Sequence, residues 1–164
     1  MLHEVKFTAL DLKRVDRSGV FAGYASLFNV ADLGRDVIAP GAFRDTLKMR
    51  GANGVQMLFQ HAPALPIGIW TTLRADARGL YVEGHLLRDV ASAREVEILM
   101  RAGVLDGLSI GFRAIRSKRD AKTGLRRIEA VDLWEISVVT FPMQPEARVT
   151  RAPAAASTSN TERP

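Results

Sequence analysis

Three side chains of this sequence have the types that acyl-transfer chemistry needs. They are a serine between glycines (Ser109), a histidine at the end of an apolar run (His61) and a carboxylate inside an apolar stretch (Glu135). A serine hydroxyl is a weak nucleophile at neutral pH and needs a base to take its proton. An imidazole suits that role, and a carboxylate on its other nitrogen fixes the tautomer that leaves a lone pair facing the serine. The chain has three histidines, His3, His61 and His85. His3 lies at the start of the chain. His85 falls mid-strand in YVEGHLL, on the side of Tyr81 and Glu83, and reads as a half-exposed strand residue. His61 follows VQMLFQ and precedes the proline-punctuated stretch from Ala62 to Pro66, where a strand gives way to a loop. Catalytic groups are commonly presented at such places.

The elements that must position these groups are mostly strands. In GLSIGF, alternation sends Leu108, Ile110 and Phe112 to one face and Gly107, Ser109 and Gly111 to the other. The serine then stands on an open face with nothing bulky beside it, where a substrate backbone could come close. Pattern alone favours a half-exposed serine on a glycine-rich strand, since serine between glycines is common, and no strand–turn–helix elbow surrounds it. In DLWEISVVTFP, Trp134, Ile136 and Val138 share one face, while Leu133, Glu135, Ser137 and Val139 share the other. A buried carboxylate needs a partner. A histidine and one of the many arginines serve equally well on pattern alone.

Further strands are expected at Val5 to Ala9, along VFAGYASLFNV, and at 54–60, 67–75 and 80–87, with two long ones at 105–117 and 125–140. Asp76-Ala77-Arg78-Gly79 reads as a hairpin loop with a positive φ at its glycine. One helix starts near Pro40-Gly41, with Phe43, Leu47 and Met49 on its apolar side. A second spans about Ser92 to Arg101, with a Ser92–Glu95 capping box, a Val96, Leu99 and Met100 stripe and a stop at Gly103. About seven strands and two helices predict a mainly β fold: a closed or nearly closed antiparallel β-barrel with a few surface helices. Residues 1–150 form one domain. Residues 151–164, RAPAAASTSNTERP, lack large apolar side chains and read as a disordered tail.

Composition narrows the chemistry. The 164 residues contain no cysteine, which removes disulfides, a thiol nucleophile and thiolate metal sites. No apolar run is long enough to span a bilayer as a helix, and the start MLHEVKFTALDLKRVD has no signal-peptide h-region. No metal or other cofactor is called for, and a cytoplasmic location is expected. The formal charge is +5, and its densest basic stretch runs from Arg113 to Arg127 without an aromatic residue for base stacking. That stretch reads as a solvated basic hairpin in preference to a nucleic-acid site.

Taken together, LFQHAPALPIGIW, LDGLSIGF and LWEISVVTFPMQPEA, with GYASLFN and VIAPGAF ahead of them, resemble the tailed-phage prohead protease family. That family is related in fold to the herpesvirus assembly proteases, and the resemblance runs from Glu4 to about Arg148. It implies a serine endopeptidase with His61, in Q-H-x(4)-P-I-G, as general base and Ser109, in L-S-I-G-F, as nucleophile. Glu135 takes the place of the third member that orients the histidine. In the herpesvirus relatives that member is a histidine; this chain has none there, and His85, which precedes the serine and does not match that motif, is the fallback. The resemblance further implies capsid-assembly substrates, namely a scaffold or the N-terminal extension of a major capsid protein, and self-cleavage. The setting would be an assembling procapsid in a bacterial cell, serving a phage, a prophage or a gene transfer particle. A homodimer, known among the herpesvirus enzymes, is a further expectation. For the oxyanion, the loop from Phe141 to Pro145 is a candidate source of N–H donors. Two competing classes are a catalytically silent assembly factor of the same fold and a basic nucleic-acid-binding barrel.

Overall fold

The computed structural model describes residues 4–9, as backbone alone, and residues 19–141. The expected tail at 151–164 and the end of the first domain lie outside the described residues, as do His3 and residues 142–145 of the proposed oxyanion loop. Eight strands and two helices follow in the order β1 (Glu4–Ala9), β2 (Val20–Leu27), β3 (Asp36–Ile38), α1 (Arg44–Arg50), β4 (Gln56–Phe59), β5 (Ala62–Ala75), β6 (Gly79–Leu86), α2 (Ala91–Arg101), β7 (Gly107–Arg119) and β8 (Arg126–Val139). Among them they form one sheet in the order β1-β7-β8-β4-β5-β6-β2, with β3 also paired to β8. The end strands β1 and β2 come to lie beside each other. The sheet therefore curls into a mainly β, nearly closed barrel.

Two pairings depart from the antiparallel expectation: both β3 and β4 run parallel to β8. They use different lengths of it. Asp36 to Ile38 pair with Arg126 to Ile128, and Gln56 to Phe59 pair with Glu135 to Val138. The far half is pinned by a two-pronged ion pair in which Arg126 Nε and Nη2 donate to the Asp36 carboxylate at 3.0 and 2.7 Å.

Alternation fills the barrel. Phe21, Met57, Ile67, Trp70, Leu80, Val82, Leu108, Ile110, Phe112, Leu133, Ile136 and Val138 all reach one core and are almost wholly shielded from water. Each such side chain contributes roughly 1.5–3 kcal/mol of burial free energy before the entropy of ordering is charged. Phe21 meets Trp70 edge-on, with ring centroids 5.5 Å apart.

The period-two reading of β8 slips at one place. Gly111 pairs with Glu135 but Phe112 pairs with Leu133, so a β-bulge absorbs Trp134. Leu133 consequently enters the core, while Trp134 turns away and its indole N–H donates to Asp132 at 2.7 Å. The helices differ in similar detail. Met49 of α1 is exposed, not part of its apolar side. The α2 N-terminus carries no side-chain cap, so the Ser92–Glu95 box does not form. The buried face of α2 is Ala93, Val96, Glu97 and Met100, with Leu99 at its rim. Glu97 is tolerated there because Arg88 and Arg101 bond it at 2.8 and 3.0 Å.

Gly79 does not take a positive φ. It is glycine because a Cβ would stand 2.0 Å from the carbonyl oxygen of Ser26 on β2. The turn itself is made by Asp76, whose Oδ1 accepts the N–H groups of Arg78 and Gly79. Tyr24 also donates to this carboxylate.

Candidate active site

Strand β8 acts as the ruler of the site. Its register places Ser137 directly across from Ser109 of β7, and Glu135 across from Gly111. On its other side the parallel strand β4 runs level with residues 135–138 and ends at Phe59. The next two residues, Gln60 and His61, form the whole connection to β5, since Phe59 already pairs with Ala62. The expected proline-punctuated loop after His61 is therefore strand, its extra residues taken up by irregularities in the β4–β5 register.

Both turn residues have left-handed φ, 53° at Gln60 and 58° at His61. That is the geometry of a type I′ hairpin turn, which glycine and asparagine usually fill. Non-glycine residues held there cost of order 1–3 kcal/mol each, and such strain is characteristic of functional sites. Bonds to β8 offset it. The Gln60 N–H donates to the Val138 carbonyl at 3.0 Å, and the His61 N–H donates to Ser137 Oγ at 3.1 Å. The Gln60 amide bonds Thr140 twice: Nε2 donates to Oγ1 at 2.6 Å, and Oε1 accepts the backbone N–H at 3.3 Å.

The turn brings the three sequence-singled residues into one line. Ser109 Oγ is in hydrogen-bonding contact with His61 Nε2, and His61 Nδ1 with Glu135 Oε1. With the Glu135 carboxylate accepting from Nδ1–H, the Nε2 lone pair is left to receive the Ser109 proton. The second oxygen, Oε2, accepts from the Ser137 hydroxyl at 2.7 Å. Glu135 thus has both carboxylate oxygens bonded, one to the histidine and one to Ser137, and its side chain is only 5% exposed. Ser137, Gln60 and Thr140 were not singled out by sequence pattern. A serine two residues from Glu135 on the same strand face was the available signal.

Ser109 corrects the open-face expectation: it has no exposed surface. Its paired neighbours β1 and β8 flank it, the imidazole lies against its hydroxyl, and Gly107 and Gly111 are buried too. His61, 16% exposed at its side chain, is the member nearest to water. His85 sits on β6 opposite Val20 and Ile69, with three strands between β6 and β7 along the sheet, so it takes no part in this cluster.

Beyond Gly111 on the same face of β7, Arg113 and Ile115 line a groove of about 450 Å³ with Met49, Arg50, Ala130 and Asp132. The Arg50 guanidinium bonded to Asp132 holds its carboxyl below the ordinary value of 3.8, against the opposing effect of burial. The basic stretch that follows is partly neutralised. Arg116 and Lys118 share Glu129, and Arg126 bonds Asp36. Among the described residues no cluster of three His, Asp or Glu side chains is placed to hold a metal ion. Nor is any helix among them long and apolar enough to cross a membrane.

Comparison with known proteins identifies a family. The family model described as Caudovirus prohead serine protease matches residues 6–164. A prohead protease of Enterobacteria phage HK97 is 37% identical over 150 residues, covering 89% of this chain and 63% of that protein. A prohead protease of Escherichia phage T5 is 30% identical over 121 residues, covering 73% and 56%. The chain therefore spans less than two thirds of the length of either relative. Among solved structures, the bacteriophage T4 capsid assembly protease superposes with a TM-score of 0.70 at 12% identity, covering 85% of this chain and 98% of that one. The KSHV protease, solved with a hexapeptide phosphonate inhibitor, gives 0.51 at 14% identity, covering 76% and 60%. These two likenesses concern the fold.

Proposed function

The chain belongs to the Caudovirus prohead serine protease family, and from that premise we propose that it is a serine endopeptidase that cuts capsid precursor proteins during prohead maturation. The observation that carries this reading is the continuous hydrogen-bonded line from Ser109 through His61 to Glu135. Ser109 is the nucleophile, His61 the general base and Glu135 the group that holds the imidazole tautomer.

In the reaction, His61 Nε2 takes the hydroxyl proton as Ser109 Oγ attacks the scissile carbonyl. The carbonyl π electrons move to oxygen, giving a tetrahedral oxyanion that backbone N–H donors stabilise. Collapse expels the amine, which leaves with the proton His61 had taken, and Ser109 remains acylated. Water then repeats the sequence with the same base and frees the second product. The imidazolium formed in each half is stabilised by Glu135, which stays ionised throughout.

The substrates are a scaffold or the N-terminal extension of the major capsid protein, encountered inside an assembling procapsid in the bacterial cytoplasm. The test is co-expression of the wild-type chain or Ser109→Ala with the neighbouring major capsid protein, read by intact mass. A capsid fragment produced by wild type alone is expected, and its mass identifies the bond. Identical uncut masses in both, with capsids still forming, would replace this reading with a catalytically silent assembly factor.

A further inference from the structure

Building on that assignment of nucleophile, base and carboxylate, we propose that Ser137 is a positioning residue that locks His61 and Glu135 to each other through one hydroxyl. A serine Oγ offers one proton and two acceptor sites. At Ser137 the proton goes to Glu135 Oε2 at 2.7 Å, and a lone pair receives the His61 backbone N–H at 3.1 Å. One atom therefore joins the carboxylate to the backbone that carries the imidazole.

The joint matters because the turn does not hold itself. Gln60 and His61 are consecutive non-glycine residues at left-handed φ, and the bonds from β8 keep them there. Gln60 is anchored on Thr140 and Val138; His61 is anchored on Ser137. Glu135 uses Oε1 for the imidazole and Oε2 for Ser137, so both its oxygens are directed and its plane is fixed. Removing the hydroxyl releases the carboxylate to rotate and frees the turn to relax, and either motion draws Nε2 away from Ser109.

Ser137 faces Ser109 across the β7–β8 pair but does not duplicate it. Its proton is committed to Glu135, while Nε2 of the base is turned to Ser109. It is also fully buried. A group placed this way affects the chemical step and leaves substrate binding alone. A misplacement of about 1 Å in such an array costs on the order of 100-fold in rate.

The experiment uses a peptide spanning the bond found in the co-expression test. Values of kcat and KM are compared for the wild-type chain, Ser109→Ala, Ser137→Ala and Ser137→Thr, with thermal melts of each. The expected result is a fall in kcat of about 10- to 100-fold for Ser137→Ala, with KM within about twofold and the hydroxyl of Ser137→Thr restoring most of the loss. Should the alanine variant not fold, Ser137→Cys keeps the volume with a weak donor and is expected to show the same loss. A folded Ser137→Ala or Ser137→Cys with wild-type kcat overturns the proposal, as does a folded Ser137→Thr no better than alanine. A wild-type chain no more active than Ser109→Ala would instead sink the protease reading, and this inference with it.

Discussion

At the scale of single residues, the site is an exercise in proton placement. Two serines, one histidine and one glutamate form a largely buried cluster, and each hydrogen has one destination. The Ser109 proton faces Nε2, the Nδ1 proton faces Glu135, and the Ser137 proton faces the other oxygen of the same carboxylate. The arrangement predicts a graded series of losses. In the proposed reaction Ser109→Ala and His61→Ala each remove a group that makes or breaks bonds, and each should lower kcat by on the order of 10⁶-fold. Glu135→Gln keeps the shape, but its amide can present N–H to Nδ1 and favour the wrong tautomer. A smaller loss of about 10⁴-fold is expected for it. Steady-state kinetics on the cleaved peptide check the order, and a Glu135→Gln variant with wild-type kcat would remove the glutamate from the array. Part of this was legible in the sequence. A carboxylate in the middle of DLWEISVVTFP needs a partner; pattern alone left a histidine and an arginine equal, and the family resemblance singled out His61 and Ser109. The burial of Ser109 was not legible, because it depends on what packs over a strand face, which alternation does not report.

At the scale of elements, β8 does the organising, and its neighbours explain how it can. Strand alternation placed Leu108, Ile110 and Phe112 together correctly, and all three lie in the core. The same rule applied to β8 misplaced Leu133 and Trp134, since one bulged residue exchanges the faces beyond it. A bulge leaves no mark in residue type here. The type I′ turn at Gln60-His61 was likewise hidden, because neither residue favours left-handed backbone and tertiary bonds enforce it. The parallel pairing of β3 and β4 with β8 was invisible for a similar reason: pairing direction is set by the path of the chain through α1, not by side-chain period. The Asp36–Arg126 pair holds β3 in that arrangement, with the carboxylate 5% and the guanidinium 24% exposed. Arg126→Ala should therefore destabilise the fold by about 2–3 kcal/mol, discounted from a fully buried pair because Arg126 reaches solvent. A urea midpoint unchanged from wild type would show that β3 is held by other contacts.

At the scale of the whole molecule, a curled sheet of eight strands carries the site at the junction of β7, β8 and the β4–β5 turn. The chain pairs residues far apart in sequence to do this: Ser109 and Ser137 directly, and His61 with both. Changes at the far ends of β7 and β8, such as Arg126→Ala, should therefore act on stability, while changes at 60–61, 109 and 135–137 should act on the proposed reaction. The expected basic hairpin is present as those far ends, tied back by Glu129 and Asp36. The measurement that tests the central claim most directly is reaction of the intact protein with a fluorophosphonate, followed by tandem mass spectrometry to locate the adduct. A single adduct on Ser109, formed in the wild-type chain and lost in His61→Ala, is the result this account predicts. An adduct on another side chain, Ser137 included, or equal labelling of wild type and His61→Ala, would contradict it.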